Sequence, residues 1–257
     1  MLPSSSLPVA TFETMGTVVS LRLADTVAGQ RRLGEGLATA ERVFERWNER
    51  FSLYSPTSEI SLVASGHVRL TDASEELRSC YALALDWRDR TGGVFTPHRA
   101  DGVIDLSGVV KALAIEEAGV ALTSIGCESW SINAGGDVLV RGMPSADAQW
   151  VTSIVNPVDR HDVLASVPMS GAFPAVATSG SAERGEHIWT PAVELSPFRQ
   201  VSVFAADIVT ADVLATAIVA GGESTLNEST AGHAIEVLAV LRDGQLLATR
   251  GLRQPSR

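Results

Sequence analysis

Cysteine is scarce in this 257-residue chain. The two present, Cys80 and Cys127, sit in windows that read as helical, with no further Cys or His at metal-ligand spacing. A disulfide scaffold and a zinc module are thereby excluded, and both thiols are expected as buried apolar groups. Positive charge is also short: 20 Lys and Arg against 30 Asp and Glu leave a net charge of −10. That balance argues against nucleic acid or an anionic lipid surface as the main partner. A long uninterrupted apolar run is missing too. The best candidate, Val201 to Gly222, is broken by Asp207 and Asp212, whereas a bilayer span needs about 20 apolar residues with few or no charges. The opening MLPSSSLPVA has no basic stretch, apolar run or cysteine to lipidate. Residues 1–10 are therefore expected as a disordered lead-in to a cytoplasmic protein without a membrane anchor. Serine-hydrolase elbows, zinc-protease His-Glu-x-x-His helices and the glycines of a phosphate-binding P-loop are absent as well.

What is present is an ordinary globular composition, 45% hydrophobic and 19% charged, which is too apolar for disorder. Thr11 to Leu23 ends in the strand alternation Val19, Leu21, Leu23. Leu33, Leu37, Ala40, Phe44, Trp47 and Phe51 recur at steps of three and four, the stripe of an amphipathic helix. A second helix is expected from about Ala73 to Arg90, capped by Thr71 or Asp72 and closed by Gly92-Gly93. A third spans about Gly108 to Ser124 with Ser107 as its cap. From Trp130 onward strands dominate, apart from a helix at Thr210 to Ala220, and a hairpin is expected about Asp243-Gly244. Helices early and strands late predict an α+β fold, an antiparallel-rich sheet core with flanking helices. One domain is expected over 11–257, with surface loops at 143–149 and 190–197.

Four segments carry chemical potential. In ADVLATAIVAGG (211–222), Asp212 and Thr216 share one helix face and both offer oxygen to a cation. By itself Asp212 reads first as a cap or first-turn charge; on a helix otherwise built for burial, it would need a metal, an Arg or a set of donors. In GVIDLSGVVKALA (102–114), a strand turns through Ser107-Gly108 into a helix, an arrangement that offers free N–H groups to an anion. Lys111 either adds charge there or is simply solvated. Gly135 and Gly136 allow a close ligand approach or, equally, a tight hairpin. His187 alone among the five histidines follows a polar loop, placing it as a structural, solvated or catalytic group.

The order of the motifs says more than any one of them. Met15-Gly16-Thr17, Tyr54-Ser55-Pro56 with Ser58-Glu59-Ile60-Ser61, Gly93-Val94-Phe95-Thr96-Pro97, Asp105-Leu106-Ser107-Gly108-Val109-Val110-Lys111, Asn133-Ala134-Gly135-Gly136-Asp137, Thr178-Ser179-Gly180, His187-Ile188 and Ala211-Asp212-x-x-Ala215-Thr216 together resemble the ApbE family of FAD:protein FMN transferases. The resemblance runs from about residue 11 to 222. It implies Mg²⁺-dependent transfer of FMN from FAD to a Thr or Ser hydroxyl of an acceptor protein, with release of AMP. It further implies Asp212, Thr216 and the Gly108 carbonyl as metal ligands, an all-oxygen set suited to Mg²⁺. Met15, Tyr54, Gly93, Val94, Phe95, Asp105, Lys111 and Ile188 are implied as FAD contacts. Lys111 also neutralises phosphate charge, and His187 takes the proton from the acceptor hydroxyl. A neutral imidazole with a pKa of about 6.5 suits that role.

The sequence departs from the family pattern at three places. Ala112-Leu113 and Glu116 stand where Gly-Tyr and an Asp are usual, Thr96 replaces an Asp, and Trp189-Thr190 replace Ile-Asp. None is an implied metal ligand or the implied base. Two other activity classes fit the same residues: an FAD pyrophosphatase that uses water as acceptor, and a non-catalytic flavin-binding module.

Overall fold

The computed structural model describes residues 7–24, 29–159, 161–169, 171–180 and 196–253. Its centre is an eight-stranded antiparallel sheet in the order β1-β2-β3-β4-β7-β8-β9-β10. The strands are β1 (Val9–Thr14), β2 (Thr17–Leu23), β3 (Trp130–Ala134), β4 (Asp137–Arg141), β7 (Ala175–Gly180), β8 (Phe198–Ala205), β9 (Glu236–Leu241) and β10 (Leu246–Ala248). A separate hairpin pairs β5 (Val151–Val155) with β6 (Val163–Pro168). The expected α+β class with flanking helices is what the chain forms.

Helices α1 (Gly29–Phe51), α4 (Ser107–Ser124) and α5 (Ile208–Gly232) cover one face, with α2 (Glu59–Ala64) and α3 (Glu75–Arg90) packed beside them. The predicted α1 stripe turns inward: Leu33, Ala40, Phe44, Trp47 and Phe51 are buried, and Leu37 packs on them. Strand period 2 then sorts side chains between two cores. Ala177, Val201 and Val203 join the helix-side core. Val138, Val140, Val176 and Phe204 point the other way, against Trp150, Ile154 and Met169 of the β5–β6 region. Helix α5 is long and apolar enough to cross a membrane, yet 72% of its apolar window is buried inside the fold. It breaks at Gly222, whose φ of 69° is open to glycine at little cost.

Several local expectations need correction. Thr11 to Leu23 is two strands, because Met15 and Gly16 both adopt positive φ, 49° and 68°. That geometry makes a two-residue hairpin turn whose twist matches the strands. The sheet begins at Val9, so Val9 and Ala10 belong to β1 and not to a lead-in; residues 1–6 lie outside the described residues. Helix α3 is capped by Ser74, whose Oγ accepts the Leu77 amide, and not by Thr71 or Asp72, which form a short 3-10 turn just upstream. Ser107 is the first residue of α4 and makes no cap; Asp105 Oδ1 accepts its amide at 2.9 Å instead. Cys127 lies beyond the end of α4, although it is buried as expected. Burial also pushes the Cys80 thiol up to about 12, so at neutral pH it stays in the unreactive protonated form.

Helix α4 approaches the sheet closely because Gly119 has no side chain. A Cβ there would enter the indole of buried Trp130. Gly119→Ala is expected to lower unfolding stability by about 1–3 kcal/mol through overpacking, measured as a shift in urea midpoint at unchanged slope.

Candidate active site

The site is built where three elements meet: the first turns of α4, the end of β7 and the early turns of α5. The loop into α4 is shaped by short-range hydrogen bonds. The Asp105 amide donates to the Pro97 carbonyl at 2.8 Å, while the Asp105 carboxylate takes the Ser107 amide. Thr96 Oγ1 accepts the His98 amide at 3.2 Å, so a hydroxyl performs the local turn role open to an Asp. Gly93 turns this stretch inward at φ 84°. Beyond it Phe95 packs closely against α4: a Cβ on Gly108 would stand 2.8 Å from its ring, and one on Gly221 of α5 would stand 2.9 Å from Val94. Gly93, Val94, Phe95, Asp105 and Gly108 are thus drawn to one place.

One turn further along α4, Lys111 points into the protein and is only 7% exposed. The solvated reading of this lysine is therefore wrong. Its Nζ pairs with Asp137 Oδ2 and lies 4.0 Å from Asp212 Oδ2. Asp137 is fully buried, and its Oδ1 accepts the Thr178 amide at 3.1 Å. The β4–β7 ladder consists of Val138↔Val176 and Leu139↔Ala175; beyond it the Asp137 carboxylate supplies the acceptor that a strand would have supplied. Burying charges is tolerable only with such pairing.

Asp212 is 4% exposed, and it is not the helix cap. That role belongs to Asp207, whose Oδ1 accepts the Thr210 amide at 2.7 Å. One turn after Asp212, Thr216 Oγ1 shares a hydrogen bond of 3.0 Å with Ser179 Oγ of β7. Gly108 sits three residues before Lys111, on the same face of α4. Among the described residues no three His, Cys, Asp or Glu side chains converge on one point. A cation at Asp212 would therefore draw on hydroxyl and carbonyl oxygens, and such a set fits Mg²⁺ by its hardness.

The remaining sequence candidates fall elsewhere. Met15 forms the β1–β2 turn and packs partly on the main core. This turn abuts the β3–β4 turn, since a Cβ on Gly135 would run into Thr17. Gly135 and Gly136, at φ 62° and 97°, make a tight hairpin, with the Gly136 amide donating to Asn133 Oδ1. Tyr54 is a surface side chain, 89% exposed. His187 and Ile188 lie outside the described residues, as do Trp189 and Thr190. The group that sequence reasoning left without a role is Asp137. Its signal was available: an Asp directly after Gly-Gly, at the head of an apolar strand.

Glu116, one of the departures, lies on α4 beyond Lys111. Burial first, and then the nearby Asp207 charge, raises its carboxyl above the ordinary value of 4.5. Ionisation is thus disfavoured in the folded state, at a cost present above the folded pKa and absent below the unfolded one. Glu116→Gln is expected to raise the melting temperature slightly at pH 7, with the gain vanishing as pH falls below about 4. Glu116 also lines a cavity of about 770 Å³ with Val120, Trp130, Leu139, Arg141 and Met169. That cavity shares no residue with the Lys111 cluster, where the buried charges are.

Comparison with known proteins gives a consistent relationship. A model described as the ApbE family matches residues 15–103 and 98–239. A search of curated protein sequences found no match. Among solved structures, an ApbE protein from Thermotoga maritima is similar at 19% identity and a TM-score of 0.82, covering 97% of this chain and 100% of its own. The flavin transferase ApbE from Vibrio cholerae is 20% identical with a TM-score of 0.72, covering 96% and 98%. The flavinyl transferase ApbE of Pseudomonas stutzeri, in apo form, is 15% identical with a TM-score of 0.74, covering 97% of both chains.

Proposed function

Because this chain belongs to the ApbE family, we propose that it transfers FMN from FAD to a Thr or Ser hydroxyl of an acceptor protein, with Mg²⁺ and release of AMP. The observation that carries this reading is the buried Lys111, Asp137 and Asp212 group at the mouth of α4, with the Thr216 hydroxyl one helical turn from Asp212. Pyrophosphate transfer needs positive charge and accurate placement more than covalent chemistry.

The roles divide as follows. Asp212, Thr216 and the Gly108 carbonyl hold the divalent cation. The cation, when bound, neutralises charge that grows on the pyrophosphate oxygens. Lys111 presents its ammonium to the same oxygens from the α4 side. Asp105 and the segment Gly93 to Phe95 shape the wall along which the dinucleotide lies, and the family resemblance adds Met15, Tyr54 and Ile188 as further FAD contacts. His187 takes the acceptor hydroxyl proton. The hydroxyl oxygen then bonds to the FMN-side phosphorus as the bond to the AMP phosphate breaks, and AMP leaves with the electron pair.

The deciding assay incubates the chain with FAD and a Thr-bearing acceptor, with and without Mg²⁺. Expected are AMP and an acceptor heavier by the mass of FMN, both dependent on the cation. AMP with free FMN and no adduct identifies hydrolysis instead. Stable FAD binding without AMP identifies a binding module.

A further inference from the structure

We propose that Ser179 is a positioning residue for Thr216: its Oγ accepts the Thr216 hydroxyl proton and so keeps the lone pairs of Thr216 Oγ1 available to a divalent cation. The inference rests on the reading of Thr216 as a cation ligand, and it is independent of how Asp212 is partnered. A hydroxyl has one proton to donate and two lone pairs. A cation on the oxygen needs a lone pair, so the proton must be accepted by some other group.

On a helix the usual acceptor is the carbonyl one turn back. Other helical hydroxyls of this chain use it: Thr123 donates to the Gly119 carbonyl, Ser124 to that of Val120 and Thr230 to that of Leu226, at 2.8, 2.9 and 2.8 Å. The Thr216 hydroxyl meets a side chain, standing 3.0 Å from Ser179 Oγ. Strand alternation puts that serine in place. Ala175 and Ala177 of β7 face the helix-side core, and Ser179 continues their row against α5. Thr178 is turned to the other face, where its hydroxyl meets Ser202 Oγ at 2.8 Å. Either hydroxyl can donate in the Ser179–Thr216 bond. A cation on Thr216 Oγ1 selects Thr216 as the donor, because it draws electron density from that oxygen and makes its proton the more acidic of the two. Ser179 thus acts on the cation through Thr216, without touching it.

Mn²⁺ shares the oxygen ligands of Mg²⁺, and the electron paramagnetic resonance of the free ion reports its binding to the full chain without turnover. Ser179→Ala removes the acceptor and lets Thr216 turn back to the carbonyl of its own helix. Mn²⁺ binding is expected to weaken by about 10-fold, the lower end of what is lost when a group that orients a metal ligand is removed. In a Thr216→Val background the same substitution is expected to change Mn²⁺ affinity no further, since a residue that acts through another loses its effect with it. Wild-type affinity in Ser179→Ala overturns the proposal, whatever happens to its melting temperature. A loss of equal size in the Thr216→Val background overturns it as well, because Ser179 would then act by another route. Should Ser179→Ala fail to fold, Ser179→Cys, whose thiol accepts only weakly, is judged by the same two outcomes. Unchanged Mn²⁺ affinity in Thr216→Val alone, or a wild-type chain that takes up no Mn²⁺ with or without FAD, overturns the cation reading of Thr216 itself.

Discussion

Asp212→Asn is expected to reduce cation-dependent AMP release from FAD by about 10³-fold, comparable to removing a principal electrostatic contact to a transition state, while the far-UV spectrum stays that of the wild type. The side chain is nearly isosteric, so packing on α5 is kept. The helix start does not suffer, because Asp207 makes the cap. The change removes the one carboxylate among the proposed ligands, and a neutral amide holds a hard divalent cation far less well. Turnover at saturating Mg²⁺ and Mn²⁺ binding should fall together. If Asp212→Asn melts far below the wild type and leaves AMP release per folded molecule unchanged, the carboxylate serves the fold and the proposed catalysis is wrong.

Lys111→Met alone is expected to cost about 3–5 kcal/mol of unfolding stability, the cost of removing one partner from a buried ion pair. Asp137 is fully buried and Lys111 nearly so, which leaves little solvent to rescue the stranded carboxylate. Combining Lys111→Met with Asp137→Asn should recover most of the loss, since replacing both partners with neutral groups of similar shape avoids an unpaired charge. Urea denaturation of the two single variants and the double one measures the coupling. An additive cycle would show that the two residues do not act on one another. AMP release should drop in both lysine variants regardless of stability, because the ammonium that faces the pyrophosphate is gone in each.

Much of the fold was legible from local pattern. The α1 stripe rests on periodicity, which survives folding because one face must be buried, while the α3 and α4 helices and the Asp243-Gly244 hairpin rest on end and turn residues whose backbone preferences are local. Cap positions were less legible. Ser74 and Asp105 were each within three residues of a plausible rival, and only backbone geometry selects which oxygen meets the free amide. The hairpin at Met15-Gly16 hid inside an apparently continuous strand, because one of its two positive-φ residues is a methionine.

The site divides along the same line. By itself the sequence determined which side chains share an element: Asp212 with Thr216 on one helix, Lys111 near the start of another, Asp137 at the head of a strand. These follow from spacing and from the ordered motifs that place the chain in its family. Only the tertiary structure decided that Lys111 is buried, that Asp137 is its partner, and that Asp212 stands a short step away. Asp137 reaches Thr178 across 41 positions of sequence, and Thr216 reaches Ser179 across 37. Such pairings have no local signature. A carboxylate's charge is the same in solvent or in a core; which of the two surrounds it is settled by the elements that pack against it, and those come from distant parts of the chain.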